Sequence, residues 1–121
     1  MQRDAELTYV IRASVFEVHG TLGPGFLERV YERVLLKELS ERGVRAEAQV
    51  PITVRYKGEA VGEYFADVLV ENRVLVELKA QEHLTSANDA QVSNYLKATG
   101  VQVGLLVDFG RSSALIRRFV V

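Results

Sequence analysis

The chain has 121 residues, 48% of them apolar, which suits one compact domain over 1–121 that buries roughly two thirds of its unfolded surface. It has no cysteine, which excludes disulfides, zinc ribbons and cysteine nucleophiles and fits a reducing, cytoplasmic setting. With 15 basic and 16 acidic residues the net charge is -1, so the molecule lacks a strong overall positive field, although Arg111, Arg117 and Arg118 offer a local basic rim.

The opening MQRDAELTYV is charged and has no long apolar run, so neither a signal peptide nor a membrane span is expected there. Leu7, Val10, Ile11, Val15 and Val18 recur at helical spacing and predict a first helix over about residues 4–19, with His19 at its end as a C-terminal cation or hydrogen-bonding group. HGTLGPG interrupts it, and Pro24 or Gly25 suits the start of a second helix. Leu27, Val30, Tyr31, Val34, Leu35 and Leu39 carry that helix to about Arg42, where Gly43 offers a stop.

Beyond Gly43 the period becomes strand-like. AEAQVPITVRY ends at a Lys57-Gly58 turn, GEYFADVLV follows, ENR turns the chain and VLVELKA is a third strand. SANDAQVSNYLKATG reads as a helix capped by Ser86 or Asn88 and stopped by Gly100. VQVGLLVDF and ALIRRFVV are the last two strands, and LIRRFVV could support a contact along a sheet edge. The order ααβββαββ contains a strand-helix-strand passage, which implies an α/β sandwich with at least one parallel crossover.

A hairpin of residues 62–70 and 73–80 turning on Asn72 places Asp67 directly opposite Glu77, with Cβ atoms about 4.5–5.5 Å apart, and Lys79 on the same face. The other face carries Ala66, Val68, Val70, Val74, Val76, Leu78 and Ala80, so it belongs to the core, and a one-residue slip would bury the charged triplet instead. Opposed carboxylates repel. Either they form a solvated charged face, or Lys79 and a divalent cation neutralise them, since Mg²⁺ takes one or two carboxylates plus water and phosphate oxygens.

Asp67 followed by Glu77-Leu78-Lys79 resembles the D…ExK signature of the PD-(D/E)XK nuclease superfamily, with Ala66 in place of the signature's proline. Gly25, Glu28 and Tyr31 resemble the motif of the GxxExxY family within it. LGPGFLERVYE, YKGEAVGEYFADVLVE, VELKA, AQVSNYLKATG and GLLVDFG are similar to that family's blocks, with Asp108 where asparagine is usual. The resemblance implies a restriction-endonuclease-like sandwich, a mixed central sheet flanked by helices. It also implies a Mg²⁺- or Mn²⁺-dependent phosphodiesterase acting on nucleic acid, DNA before RNA.

In that reading Asp67 and Glu77 hold the ion, Lys79 positions water or stabilises transition-state charge, and Glu28 completes the metal site or its water shell. Gln91 and Tyr95 match a QxxxY element and share a helix face, so Gln91 would orient Lys79 or touch a phosphate while Tyr95 packs on the hairpin. Each residue also has a plainer reading. Glu28 would suit a helix dipole or pair with Arg29, Arg33 or Lys37, yet it aligns with Tyr31, Leu35 and Leu39 in an otherwise apolar stripe. Tyr31 is expected to bury its ring and offer its hydroxyl to a site carboxylate. Gln91 would suit an exposed helix face and His83 a solvated loop, while Glu32 is expected at the surface and Glu71 in the turn, away from the site. The rival function is a catalytically silent module that binds nucleic acid or protein on the nuclease fold. So small a core cannot read many bases, which suggests a homodimer, a partner subunit or structure-selective cutting.

Overall fold

The computed structural model describes residues 4–121. The expectation for the first three residues of MQRDAELTYV lies outside them. Helix α1 (Ala5–Leu22) buries Leu7, Ile11, Val15 and Val18, and helix α2 (Glu28–Glu41) buries Tyr31, Leu35 and Leu39. Their apolar stripes lie on one face of a five-stranded sheet made of β1 (Ala46–Tyr56), β2 (Glu59–Val70), β3 (Val74–Lys79), β4 (Val103–Asp108) and β5 (Leu115–Val120). The strands stand side by side in chain order, and helix α3 (Ser86–Thr99) connects β3 to β4. That pair is parallel and the others are antiparallel, so the sheet is mixed and the order ααβββαββ is as expected.

Two apolar clusters sandwich the sheet. Val68, Val70, Val74, Val76, Leu78, Val103, Leu105 and Val107 meet α1 and α2. Leu75 and Leu106 meet Val92, Tyr95 and Leu96 of α3 on the other face. The central strands β3 and β4 are therefore covered on both sides, which is why their sequences run almost continuously apolar. At the β2–β3 turn Glu71 and Asn72 both have positive φ, 52° and 55°, the pattern of a type I′ hairpin.

Several local expectations change. Helix α1 runs on to Leu22, and α2 begins at Glu28 rather than at Pro24 or Gly25, because Gly25 has φ 109°, a conformation no helix contains. Thr85, not Ser86 or Asn88, caps α3; its N–H donates to Asn88 Oδ1 at 2.8 Å. Ala66 does not share a face with Val68 and Val70: it joins the α3 cluster with Ile52. The alternation breaks at the level of Asp67 and Gln49. Gln49 takes φ 53°, and there the β1–β2 ladder skips from Ala48–Val68 to Val50–Ala66.

Gly110 shows how tightly the ends of β3 and β4 are joined. A Cβ there would lie 2.4 Å from both the N and O of Gln81, which are backbone atoms. Gly110→Ala is expected to lower stability by about 1–3 kcal/mol or more, read from the urea midpoint at unchanged slope.

Candidate active site

The β2–β3 ladder pairs Val70 with Val74, Leu69 with Leu75 and Val68 with Val76, and the recorded pairing stops there. In the same register the next residues facing one another are Asp67 and Glu77. They bond differently: Asp67 N–H donates to Glu77 Oε1 at 3.0 Å, and Leu78 N–H donates to Asp67 Oδ2 at 2.8 Å. Each carboxylate takes over a backbone donor of the opposite strand. The strands can part at this point without orphaning those N–H groups, whose loss would each be costly.

Glu77 is 2% exposed, on a central strand. Burial pushes its carboxyl up to about 8, and the adjacent Asp67 charge pushes the same way, partly offset by the Asp67 N–H and Lys79. A carboxyl shifted this way favours its neutral form, a third way of relieving carboxylate repulsion besides solvation and a cation. Lys79 is only half-buried. Its charge favours the ionised forms of Glu77 and Glu28, yet it makes no ion pair within 4 Å among the described residues.

Glu28 is the first residue of α2, at the end of the stripe formed by Tyr31, Leu35 and Leu39. It remains solvent-exposed as a residue, but desolvation of its carboxyl raises its pKa against the pull of Lys79, with Asp67 raising it and the Ala80 N–H lowering it further. Lys79, Asp67 and the Ala80 backbone thus lie within reach of its carboxyl. Tyr31, by contrast, does not reach a carboxylate. Its hydroxyl donates to Gly23 O at 2.6 Å and accepts from Phe26 N–H at 3.2 Å, and its ring stacks on Phe109 at 4.4 Å. The irregular loop ahead of α2 supplies unpaired backbone groups, and the inward-facing hydroxyl satisfies them. Tyr31 thereby fixes the segment that leads into Glu28. Tyr31→Phe is expected to cost about 1–2 kcal/mol in a denaturant titration, because two backbone partners lose one hydroxyl.

On α3, Gln91 Nε2 donates to Tyr95 Oη at 3.2 Å rather than contacting Lys79. Burial raises the Tyr95 hydroxyl and the Gln91 bond opposes this; the charges of Glu77 and Asp67 raise it further, so α3 brings the hydroxyl near the carboxylates. Tyr95 packs against Ile52, Ala66 and Leu75 of the first three strands. His83 is exposed in the loop before α3, and Glu71 accepts the Arg45 N–H at 2.8 Å. His19 bonds Arg111 O through Nε2 at 2.8 Å.

Gln49 and Asp108 are two further neighbours of the site. Gln49 Nε2 donates to Glu32 Oε2 at 2.9 Å and approaches Asp67 Oδ1 at 3.4 Å, so Glu32 is tied to the edge of the site rather than lying free on the surface. Nothing in AEAQVPITVRY announces the positive φ that turns Gln49 this way. Asp108 is wholly buried beside Lys79 in the parallel register; its Oδ1 accepts the Gln81 and Gly110 N–H groups, both at 2.9 Å. An aspartate in the otherwise apolar GLLVDFG was the available signal.

Among the described residues no three histidine, aspartate or glutamate side chains are grouped closely enough to hold an ion by themselves. Asp67 and Glu77 nevertheless form a donor set of the kind Mg²⁺ uses, two hard carboxylates completed by water and substrate oxygens.

A model of the PD-(D/E)XK nuclease superfamily matches residues 5–119. The chain belongs to this superfamily. Its five-stranded mixed sheet between helices is the restriction-endonuclease-like fold. The fold is also similar to the crystal structure of SSO0001, with a TM-score of 0.59 and 16% identity over 97% of this chain and 58% of that one. The chain thus spans less than two thirds of that protein, and the likeness is one of fold. No curated protein matches it. No helix among the described residues is long and apolar enough to cross a membrane.

Proposed function

We propose that this PD-(D/E)XK protein, of the GxxExxY type, is a Mg²⁺- or Mn²⁺-dependent nuclease that hydrolyses phosphodiester bonds in DNA, or secondarily RNA, in a cytoplasmic setting. The observation that carries the reading is the Asp67–Glu77 carboxylate pair, each member accepting a backbone N–H of the opposite strand, beside a lysine with no ion-pair partner among the described residues.

Asp67 and Glu77 would hold the cation, with Glu28 contributing directly or through water; when bound, it would polarise a phosphoryl oxygen and promote ionisation of the attacking water. Lys79 meets the negative charge that grows on the phosphoryl group, without first breaking a competing ion pair. Glu28, with its raised carboxyl at the rim, orients the water and can take up its proton. Tyr95 and Gln91 hold the α3 side of the site against the hairpin. A homodimer or partner subunit would supply the target recognition that this core lacks, and the edge strand β5 is available for it.

The test is cleavage of single-stranded, duplex and branched DNA and of RNA in Mn²⁺ or Mg²⁺, with EDTA as control. Activity abolished by EDTA and by Asp67→Ala is expected; no cleavage of any substrate overturns the reading. The silent-module alternative draws on the fact that both carboxylates already serve backbone donors. Calorimetric titration separates the two: the nuclease requires millimolar or tighter Mn²⁺ binding that Asp67→Ala removes.

A further inference from the structure

An open groove of about 930 Å³ runs between the outer half of the β1–β2 hairpin and α3. Its walls include Arg55 and Tyr64 from the hairpin and Gln91, Asn94, Tyr95 and Lys97 from α3. Not one lining residue is acidic, although the chain has 16 acidic residues and a net charge of -1. Arg55 and Lys97 are exposed and make no ion pair within 4 Å among the described residues. Tyr64 exposes 49% of its surface and leans against Tyr95 with ring centroids 5.8 Å apart. Tyr95, which lines the groove, in turn feels the charges of Glu77 and Asp67.

We infer that this groove holds an unpaired nucleic-acid strand, with a base stacked on Tyr64 and flanking phosphates met by Arg55 and Lys97. The inference rests on the nuclease reading for its direction toward the carboxylates, but binding is separable from cutting. Free cations beside an exposed aromatic face are what a single strand requires, since every base offers a π-face and every linkage a negative charge. The volume is that of a pocket for a drug-sized ligand, room for one or a few nucleotide units. Asn94 and Gln91 add amide groups that can hydrogen-bond a base edge or a phosphate.

The test is fluorescence anisotropy in EDTA with labelled oligodeoxynucleotide, oligoribonucleotide and blunt duplex. Single strands should bind at least about tenfold more tightly than duplex, and the two single-strand arms show whether the sugar matters. Tyr64→Leu should weaken single-strand binding by at least about fivefold, while Tyr64→Phe, which keeps the ring, restores it. Arg55→Ala with Lys97→Ala should reduce the slope of log affinity against log salt by about 0.7 for each lost contact. Duplex bound as tightly as single strand, an affinity indifferent to Tyr64→Leu, or no oligonucleotide binding overturns the groove assignment. A protein that cuts single strands yet ignores these substitutions loses the groove and keeps the nuclease reading. One that binds through them without cutting does the reverse.

Discussion

Lys79→Ala is expected to lower phosphodiester cleavage by about 10²–10³-fold, the usual loss when one preorganised stabiliser of transition-state charge is removed. Asp67→Ala should cost at least as much, because it removes half of the hard-ligand pair and the acceptor of the Leu78 N–H at once. Lys79 is poised for the role. It extends from a strand covered on both faces, in register with buried Asp108, and its ammonium has no ion pair to break among the described residues. Its charge also restrains the upward shifts of Glu28 and Glu77, so the alanine variant should have its residual activity displaced toward higher pH. Lys79→Arg keeps the charge and should return part of the rate and the original pH profile. Initial rates in Mn²⁺ across pH check all of this. Equal residual activity in wild type, Asp67→Ala and Lys79→Ala would falsify catalysis by this site.

Glu77→Gln is expected to stabilise the metal-free protein, increasingly so as pH rises. In the unfolded chain Glu77 loses its proton near the ordinary 4.5, whereas in the fold it holds it to about 8. The folded state therefore binds more protons between those values, and stability falls as pH climbs through that window. The shift corresponds to roughly 3–5 kcal/mol, fully present as stability below about 4.5 and lost above about 8. Glutamine stays neutral and can still accept the Asp67 N–H. The melting temperature of Glu77→Gln should match wild type near pH 4.5 and exceed it on the order of 10 °C at pH 9. Millimolar Mg²⁺ should raise the wild-type value at pH 8–9 and leave the variant little changed, since a ligand stabilises only the state that binds it. Binding to wild type at pH 7 should release close to one proton, measurable in buffers of different ionisation enthalpy. Melting curves that run parallel at every pH would remove the buried proton from the account.

This second prediction bears on the choice between solvated face and metal site, posed by the hairpin pattern alone. A solvated pair would show little change in stability with pH, whereas Glu77 lies at 2% exposure on a central strand.

Much of this was legible in the residues because strands have period two. Alternation over residues 62–80 sets Asp67 opposite Glu77 with Lys79 on the same face, and the observed pairs Val68–Val76 to Val70–Val74 follow that register. The stripe of Tyr31, Leu35 and Leu39 likewise aims α2 at the core and brings Glu28 to its end. Ala66 escaped the rule at the level where Gln49 of β1 leaves the extended region, so parity holds on each side of Asp67 but not across it. No local preference of glutamine selects that conformation.

The sequence by itself determined the order ααβββαββ, the hairpin register and the acidic pair with its lysine, since each follows from spacing along the chain. Only the tertiary structure decided that burial raises the Glu77 carboxyl, that Tyr31 serves the loop ahead of Glu28, and that Asp108 is wholly buried. It also decided that α3 and the hairpin leave a groove without carboxylates. The physical reason is common to these four. Desolvation, long-range charge and the fate of an orphan hydrogen-bonding group depend on which distant segments come to lie against a side chain, and no pattern of neighbours in sequence carries that information.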